Sequence, residues 1–136
     1  MAISPESVAR AFVQAINAHD VHALVEWMSD EHVFIDSLGT VIRGRETMRG
    51  GWENYFRMVP DYTLTIDETY SLEGVVIMLG AAHGTYTTDG SLLPENAWKT
   101  PAALRAVTES GKVKEWRVYA DNEPIRQLMS KNRAKQ

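Results

Sequence analysis

The sequence predicts an α+β fold, and three observations carry that prediction. Up to Pro60, apolar residues recur mainly at helical spacing; from Tyr62 onward the period changes to two. The later alternating segments follow one another through turns and one longer connection, with no helical pattern between them. Helices gathered at the front of the chain and an antiparallel meander behind them define the class. At 136 residues the chain has the length of a single domain with one core.

Each element has a local reason. Ser4, Pro5 and Glu6 form a helix start: a capping hydroxyl, a proline at the first helical position and an acid near the positive end of the dipole. Val8, Phe12 and Ile16 follow at helical spacing until "NAHD" stops the run. Asp20 caps a second, short helix with Leu24, Trp27 and Met28 facing inward, so the two helices form a hairpin. "HVFID", residues 32 to 36, reads as a buried strand that ends on a carboxylate, followed by a loop containing Gly39 and Gly44. In "RETMRGGWENYFRMV" the side chains of Met48, Trp52, Tyr55 and Phe56 share one helical face. Gly50 and Gly51 each weaken that helix by about 1 kcal/mol relative to alanine, which predicts close approach of a sheet there.

Tyr62, Leu64 and Ile66 alternate with polar residues in a strand running to Leu72 and a turn at "EG". "VVIMLGAAHGTYT" is the next strand, with Gly80 and Gly84 marking a bend or a close backbone approach. After the connection "TDGSLLPENAW", the segments "KTPAALRAVT" and "KVKEWRVYA" form a hairpin through "ESG". Asn122 and Pro124 start a short C-terminal helix.

Composition narrows the functional classes. With 44% hydrophobic and 24% charged residues the chain is globular, and the absence of cysteine removes disulfides, thiolate metal sites and cysteine nucleophiles. No apolar run is long enough for a membrane helix and the N-terminus has no signal-peptide pattern, so a cytoplasmic location and no membrane partner are expected. Residues 126 to 136 hold four of the 14 basic residues and no acid, leaving residues 1 to 125 at 10 − 18 = −8. That acidic body is a poor match for nucleic-acid phosphates, and the basic tail is expected to be a solvated end. The histidines 19, 22, 32 and 83 show no paired metal spacing, and no phosphate-binding loop is present. No metal and no cofactor are expected.

The segments "AFVQAINAHDVHAL", "FIDSLG" and "GKVKEWRVYAD" resemble the nuclear transport factor 2-like superfamily, and more narrowly its SnoaL-like proteins, relatives of ketosteroid isomerase. The resemblance runs from about Pro5 to Ile125. It implies a curled antiparallel or mixed sheet wrapped by three N-terminal helices into a cone, the cystatin-like α+β roll, with a mostly apolar pocket inside. It also implies a homodimer formed through the outer sheet face, around Glu115, Arg117 and Tyr119. The superfamily hosts isomerases, cyclases, dehydratases, epoxide hydrolases and noncatalytic modules, so activity has to be argued from the site.

Asp36 stands where the isomerase carries its general base, a carboxylate that takes a proton from carbon beside a carbonyl. The alternative is a turn aspartate bonded to the backbone of "SLG". The isomerase's two oxyanion donors are missing: their positions fall on Phe12 and on Ala102 or Ala103, which argues against steroid isomerisation. In the epoxide hydrolases an acid follows "WR", where Val118 stands here; Arg105 is left as a possible pocket residue. The polyketide cyclases point to Asp121 and His83 as auxiliary catalytic groups. Strand parity opposes both, because Trp116, Val118 and Ala120, and Ala82, Gly84 and Tyr86, are the natural inward sets. A helix cap for Asp121 and an outer-face position for His83 are the alternatives. Trp52, Tyr55, Tyr86, Trp98 and Trp116 are the candidate walls of the cavity. The small residues Gly80, Ala82, Gly84, Ala102 and Ala103 leave either a roomy cavity or space that bulky neighbours fill. Two functions follow: a cofactor-independent isomerase, cyclase or dehydratase with Asp36 as base, or a noncatalytic ligand-binding or dimerisation module.

Overall fold

The structure, a computed structural model, describes residues 3–134, apart from the side chain of residue 134. Helix α1 (Pro5–Asn17) begins as its sequence dictates, with the Ser4 hydroxyl oxygen accepting from the Ser7 N–H at 3.1 Å. Asp20 likewise caps α2 (Val21–Trp27) by accepting from the Ala23 N–H. Strand β1 (Met28–Ile35) starts directly at the end of α2, four residues before the expected position. Met28 is therefore the first residue of a strand rather than the last of a helix face, yet it is buried as expected. A short strand β2 (Val41–Arg43) pairs antiparallel with β1, in a stretch that reads as loop because three residues cannot display a period. Helix α3 (Arg45–Met58) follows, then β3 (Thr63–Leu72), β4 (Val75–Thr85), β5 (Ala97–Glu109) and β6 (Lys112–Ala120).

The six strands form one sheet in the order β2-β1-β6-β5-β4-β3. β1 and β6 pair parallel and every other pair is antiparallel. Register assigns the two faces. Trp98, Thr100, Ala102, Leu104 and Ala106 of β5 lie with Val76, Met78 and Ala82 of β4 on the buried face under the helices. Phe12 of α1 seats on that face with its ring 4.7 Å from Trp116 of β6, and neither side chain is exposed.

The edge strand β3 is held by the end of α1. Asn17 accepts from the Leu64 N–H at 2.8 Å and donates to the Leu64 carbonyl at 3.0 Å, so a side chain acts as one residue of a neighbouring strand. The small residues of β4 are filled against rather than open. A Cβ on Gly80 would lie 1.8 Å from the Thr65 carbonyl oxygen, where β3 bulges between Ile66 and Glu68. One on Gly84 would lie 2.4 Å from Val59.

Two expectations fail. Gly50 and Gly51 are exposed, and nothing packs on Gly50 within 4 Å, so no sheet approaches that turn of α3. The basic tail is not a solvated end, because helix α4 (Glu123–Ala134) runs through most of it. Ile125 is buried, Leu128 and Met129 pack on the core, and Asn132 donates to the Asn96 side chain at 3.3 Å.

Gly50→Ala is expected to stabilise the protein by about 1 kcal/mol, since it adds helix propensity at an open position; urea unfolding midpoints measure this. His32, fully buried, holds Nδ1–H to the Val113 carbonyl at 2.8 Å while Nε2 has no partner. Burial, with a smaller contribution from the Arg45 charge, lowers its pKa below the usual 6.5 despite the Val113 bond. The unfolded chain therefore takes up this proton first, and stability present above pH 6.5 is lost as pH falls below it. The loss is expected to approach about 1.4 kcal/mol per pH unit and to vanish in His32→Asn, whose amide keeps a donor for Val113; unfolding at pH 5 and pH 7 compares the two.

Candidate functional site

A cavity of about 260 Å³ lies between α3, the β1–β2 end of the sheet and β6. Phe34 of β1, Ile42 of β2 and Val118 of β6 contribute apolar wall from the sheet, and Met48, Gly51, Trp52 and Tyr55 line it from α3. Tyr62, just before β3, closes one side, while Asp36, Ser37 and Asn122 bring polar groups to another. The volume falls below the range of roughly 300–1,000 Å³ typical of drug-sized ligands. That volume suits a small molecule of one or two rings.

The walls are built by aromatic contacts that follow from the spacing of α3. Trp52, 5% exposed, meets Phe34 edge-on at 6.0 Å and Tyr55 edge-on at 6.4 Å, and lies 5.5 Å from Phe56. Tyr55 meets Tyr62 edge-on at 4.9 Å, and Tyr62 lies 6.1 Å from Trp98. Such edge-on pairs are each worth roughly 0.5–1.5 kcal/mol beyond the burial of the rings.

Asp36 shares the strand parity of His32 and Phe34 and so faces the cavity. Its two carboxylate oxygens differ. Oδ1 accepts from the N–H groups of Leu38 and Thr40, both at 2.9 Å, and the backbone closes the same turn through Asp36 N–H to Thr40 O and Gly39 N–H to Asp36 O. Oδ2 accepts no hydrogen bond among the described residues. Asp36 thus takes the turn role that the sequence offered as the alternative, bonding the backbone with one oxygen, and it also lines the cavity. Beside it, the Asn122 amide donates to the Ser37 hydroxyl at 2.6 Å, tying the β1–β2 turn to the start of α4.

The donors are on the tyrosines and the tryptophan. Neither phenol of Tyr55 or Tyr62 makes a hydrogen bond to another described residue, and the fully buried Trp52 indole N–H has no partner among the described residues. Burial pushes both phenols above the ordinary tyrosine range, with Tyr62 adding to the effect on Tyr55. Both hydroxyls are therefore protonated donors at neutral pH.

Of the sequence-derived candidates, the fold brings Asp36, Trp52 and Tyr55 together on the cavity. Asp121 is exposed, and its Oδ1 accepts from the Glu123 N–H, the cap role. His83 sits on the outer face of the sheet, opposite Thr63 and Lys99. Arg105 is also on that face and is paired with Glu115. Tyr86, Trp98 and Trp116 are buried but do not line the cavity; the space above Trp116 is filled by Phe12, and Tyr62 lies between Trp98 and the other cavity rings. Tyr62, Ser37 and Asn122 are site residues the sequence did not single out. Tyr62 reads as the first inward residue of a strand, and nothing in the period separates a cavity wall from core. Among the described residues no three metal-ligating side chains converge, and no helix is long and apolar enough to cross a membrane.

A family model described as a SnoaL-like domain matches residues 9–118. No curated protein sequence matches the chain. Solved structures share the fold at low identity. A proposed SnoaL-like polyketide cyclase from Shewanella denitrificans has 17% identity and a TM-score of 0.77, with 97% of this chain and 98% of that one covered. A proposed polyketide cyclase from Xanthomonas campestris has 17% identity and a TM-score of 0.78, over 91% and 96% of the two chains. A Catenulispora acidiphila protein with a ketosteroid isomerase-like fold, solved in complex with trimethylamine, has 17% identity and a TM-score of 0.77, over 94% and 95%.

Proposed function

The chain belongs to the SnoaL-like domain family, and from that premise we propose that it is a cofactor-independent isomerase, cyclase or dehydratase. Its substrate is a small, mostly apolar carbonyl compound of one or two rings, held in the α3 cavity. The observation that carries this reading is the divided carboxylate of Asp36. Two backbone amides fix its orientation through Oδ1 while Oδ2 is unengaged on an apolar cavity. A general base needs that combination of fixed direction and free lone pair. Proton transfer is the chemistry this lining supports: with no cysteine in the chain, and His83 and Asp121 turned away, Asp36 is the one carboxylate on the cavity among the described residues.

The noncatalytic reading is supported by the turn that Asp36 organises, and one experiment separates the two. Cyclohexanone and 2-tetralone, one ring and two, are incubated with the protein in D2O and their α-proton signals followed by NMR. Enzyme-dependent exchange is expected, slowed about 100-fold or more in Asp36→Asn, which keeps an oxygen to accept from Leu38 and Thr40. Binding without exchange, or exchange indifferent to Asp36→Asn, leaves a ligand-binding module.

A second copy of the chain is proposed to cover the outer sheet face. Tyr70 is 58% and Leu72 74% exposed there, and Val75, Ile77, Leu79 and Val107 of the same face are half-buried. The face carries both charge signs. Arg117 lies over the Tyr119 ring at 4.7 Å and has no ion-pair partner among the described residues, while Glu68 at the β3 edge accepts only from the Tyr70 hydroxyl. A two-fold copy can set cation against acid across such a surface. Sedimentation is expected to give a dimer that Ile77→Glu converts to a folded monomer; a monomeric wild type defeats the assignment.

A further inference from the structure

Resting on that reading of Asp36, we propose that the hydroxyls of Tyr55 and Tyr62 are the paired donors that hold the substrate carbonyl oxygen and the enolate oxygen formed from it. Both rings line the same cavity as Asp36, and they stand edge-on to one another at 4.9 Å. Tyr62 is 93% buried by its 7% exposure, yet its hydroxyl reaches no described donor or acceptor. The hydroxyl oxygen itself is not sealed off like the unpartnered Trp52 N–H, so on a cavity wall it is left free to donate to a molecule held there. Tyr55, half-buried, brings a second hydroxyl without a described partner to the same cavity.

The corner that carries the two rings is fixed from several directions. Tyr55 closes the last turn of α3, where its carbonyl accepts from Val59 N–H at 2.8 Å; Tyr62 N–H donates to the Val59 carbonyl at 3.1 Å. His19 Nε2 donates to the Tyr62 carbonyl at 2.8 Å, and the His19 ring stacks on Phe56 at 4.4 Å. The hydroxyls are therefore set by packing before a ligand arrives, as electrostatic stabilisation requires. Their position also differs from the pair the resemblance implies. Phe12 and Ala102 occupy those places, and Phe12 fills the space itself.

The step balances with the residues present. Asp36 Oδ2 takes the proton from the carbon beside the carbonyl, and the C–H electron pair becomes the new C=C bond. The carbonyl π pair moves onto oxygen, where Tyr55 and Tyr62 donate to it. Protonated Asp36 then returns the proton to the same carbon or to a conjugated one. The substrate class sharpens accordingly: a ketone or related carbonyl whose oxygen reaches the tyrosine corner while its acidic C–H faces the β1–β2 turn.

The test uses two probes of similar shape in the Asp36→Asn protein, which mimics the protonated base. 4-Nitrophenolate carries an oxyanion; nitrobenzene lacks it. Tight binding of 4-nitrophenolate is expected, with Tyr55→Phe and Tyr62→Phe each weakening it about tenfold or more and leaving nitrobenzene affinity within about twofold. Because each hydroxyl lacks a protein partner, both variants are expected to fold with unchanged melting temperature, checked by circular dichroism. Equal loss for both probes, or no loss for either, reduces the tyrosines to walls and overturns the proposal while leaving Asp36 in place. Failure of both probes to bind overturns the cavity reading along with it. Asp36-dependent exchange that survives in the Tyr55→Phe, Tyr62→Phe double variant at the wild-type rate overturns the donors alone.

Discussion

The packing of Phe12 on Trp116, rings tilted by 41°, decides where this protein keeps its open space. Both side chains are inaccessible, and their rings meet at 4.7 Å where α1 crosses the middle of the sheet. Truncating either is a change of roughly 3–5 kcal/mol by the usual cost of emptying an aromatic site. With the centre filled, the unfilled volume is left toward α3, where the sheet ends in the short β2 and the Asp36 turn. Met48, Trp52 and Tyr55 then face a cavity instead of a packed core, although the helix that carries them is patterned like any other amphipathic helix.

A second consequence concerns the edge of the sheet beside that cavity. β3 would present unpaired backbone groups, a liability for any exposed strand. The end of α1 covers it: Asn17 satisfies both backbone groups of Leu64, and His19, in a left-handed conformation at φ 56°, turns the chain so that its ring reaches the Tyr62 carbonyl. Asparagine and histidine tolerate that geometry better than β-branched residues do. The "NAH" that reads as a helix stop is thus also the clamp that fixes the start of β3, and with it one wall of the site.

Much of the fold was legible because its signals are local. Ser4 with Pro5, Asp20, the switch of period at Tyr62 and the "ESG" turn each act within a few residues of themselves. The misses share a cause as well. β2 is too short to show a period, the early start of β1 depends on pairing with β6, and the extension of the expected C-terminal helix through the basic tail depends on Leu128 and Met129 packing against a core that the chain forms elsewhere. For the site, alternation correctly separated the inward side of β4 and β6 from His83 and Asp121. It gave no means of telling Trp116, pressed beneath Phe12, from Trp52 on the cavity, because both are inward aromatic residues. That difference lies in which neighbour fills the space, a tertiary fact.

Asp36 shows why a strand can end on a carboxylate without choosing between structure and chemistry. An apolar side chain in its place leaves the Leu38 and Thr40 N–H groups without their acceptor and the turn without its organiser, and an amide supplies the acceptor but no second carboxylate oxygen. A carboxylate supplies that acceptor with one oxygen and has a second to spare, and the alternation of β1 aims the residue toward the apolar volume. The turn's demand on Oδ1 limits how the side chain can rotate, so Oδ2 has little freedom to leave its direction. Across the same cavity, the phenols of Tyr55 and Tyr62 are held by the corner between α3 and β3, which does not share a backbone segment with the Asp36 turn. Acceptor and donors are thus positioned by separate parts of the fold. The distance between them is set by the packing of α3 on the sheet, through Trp52 against Phe34.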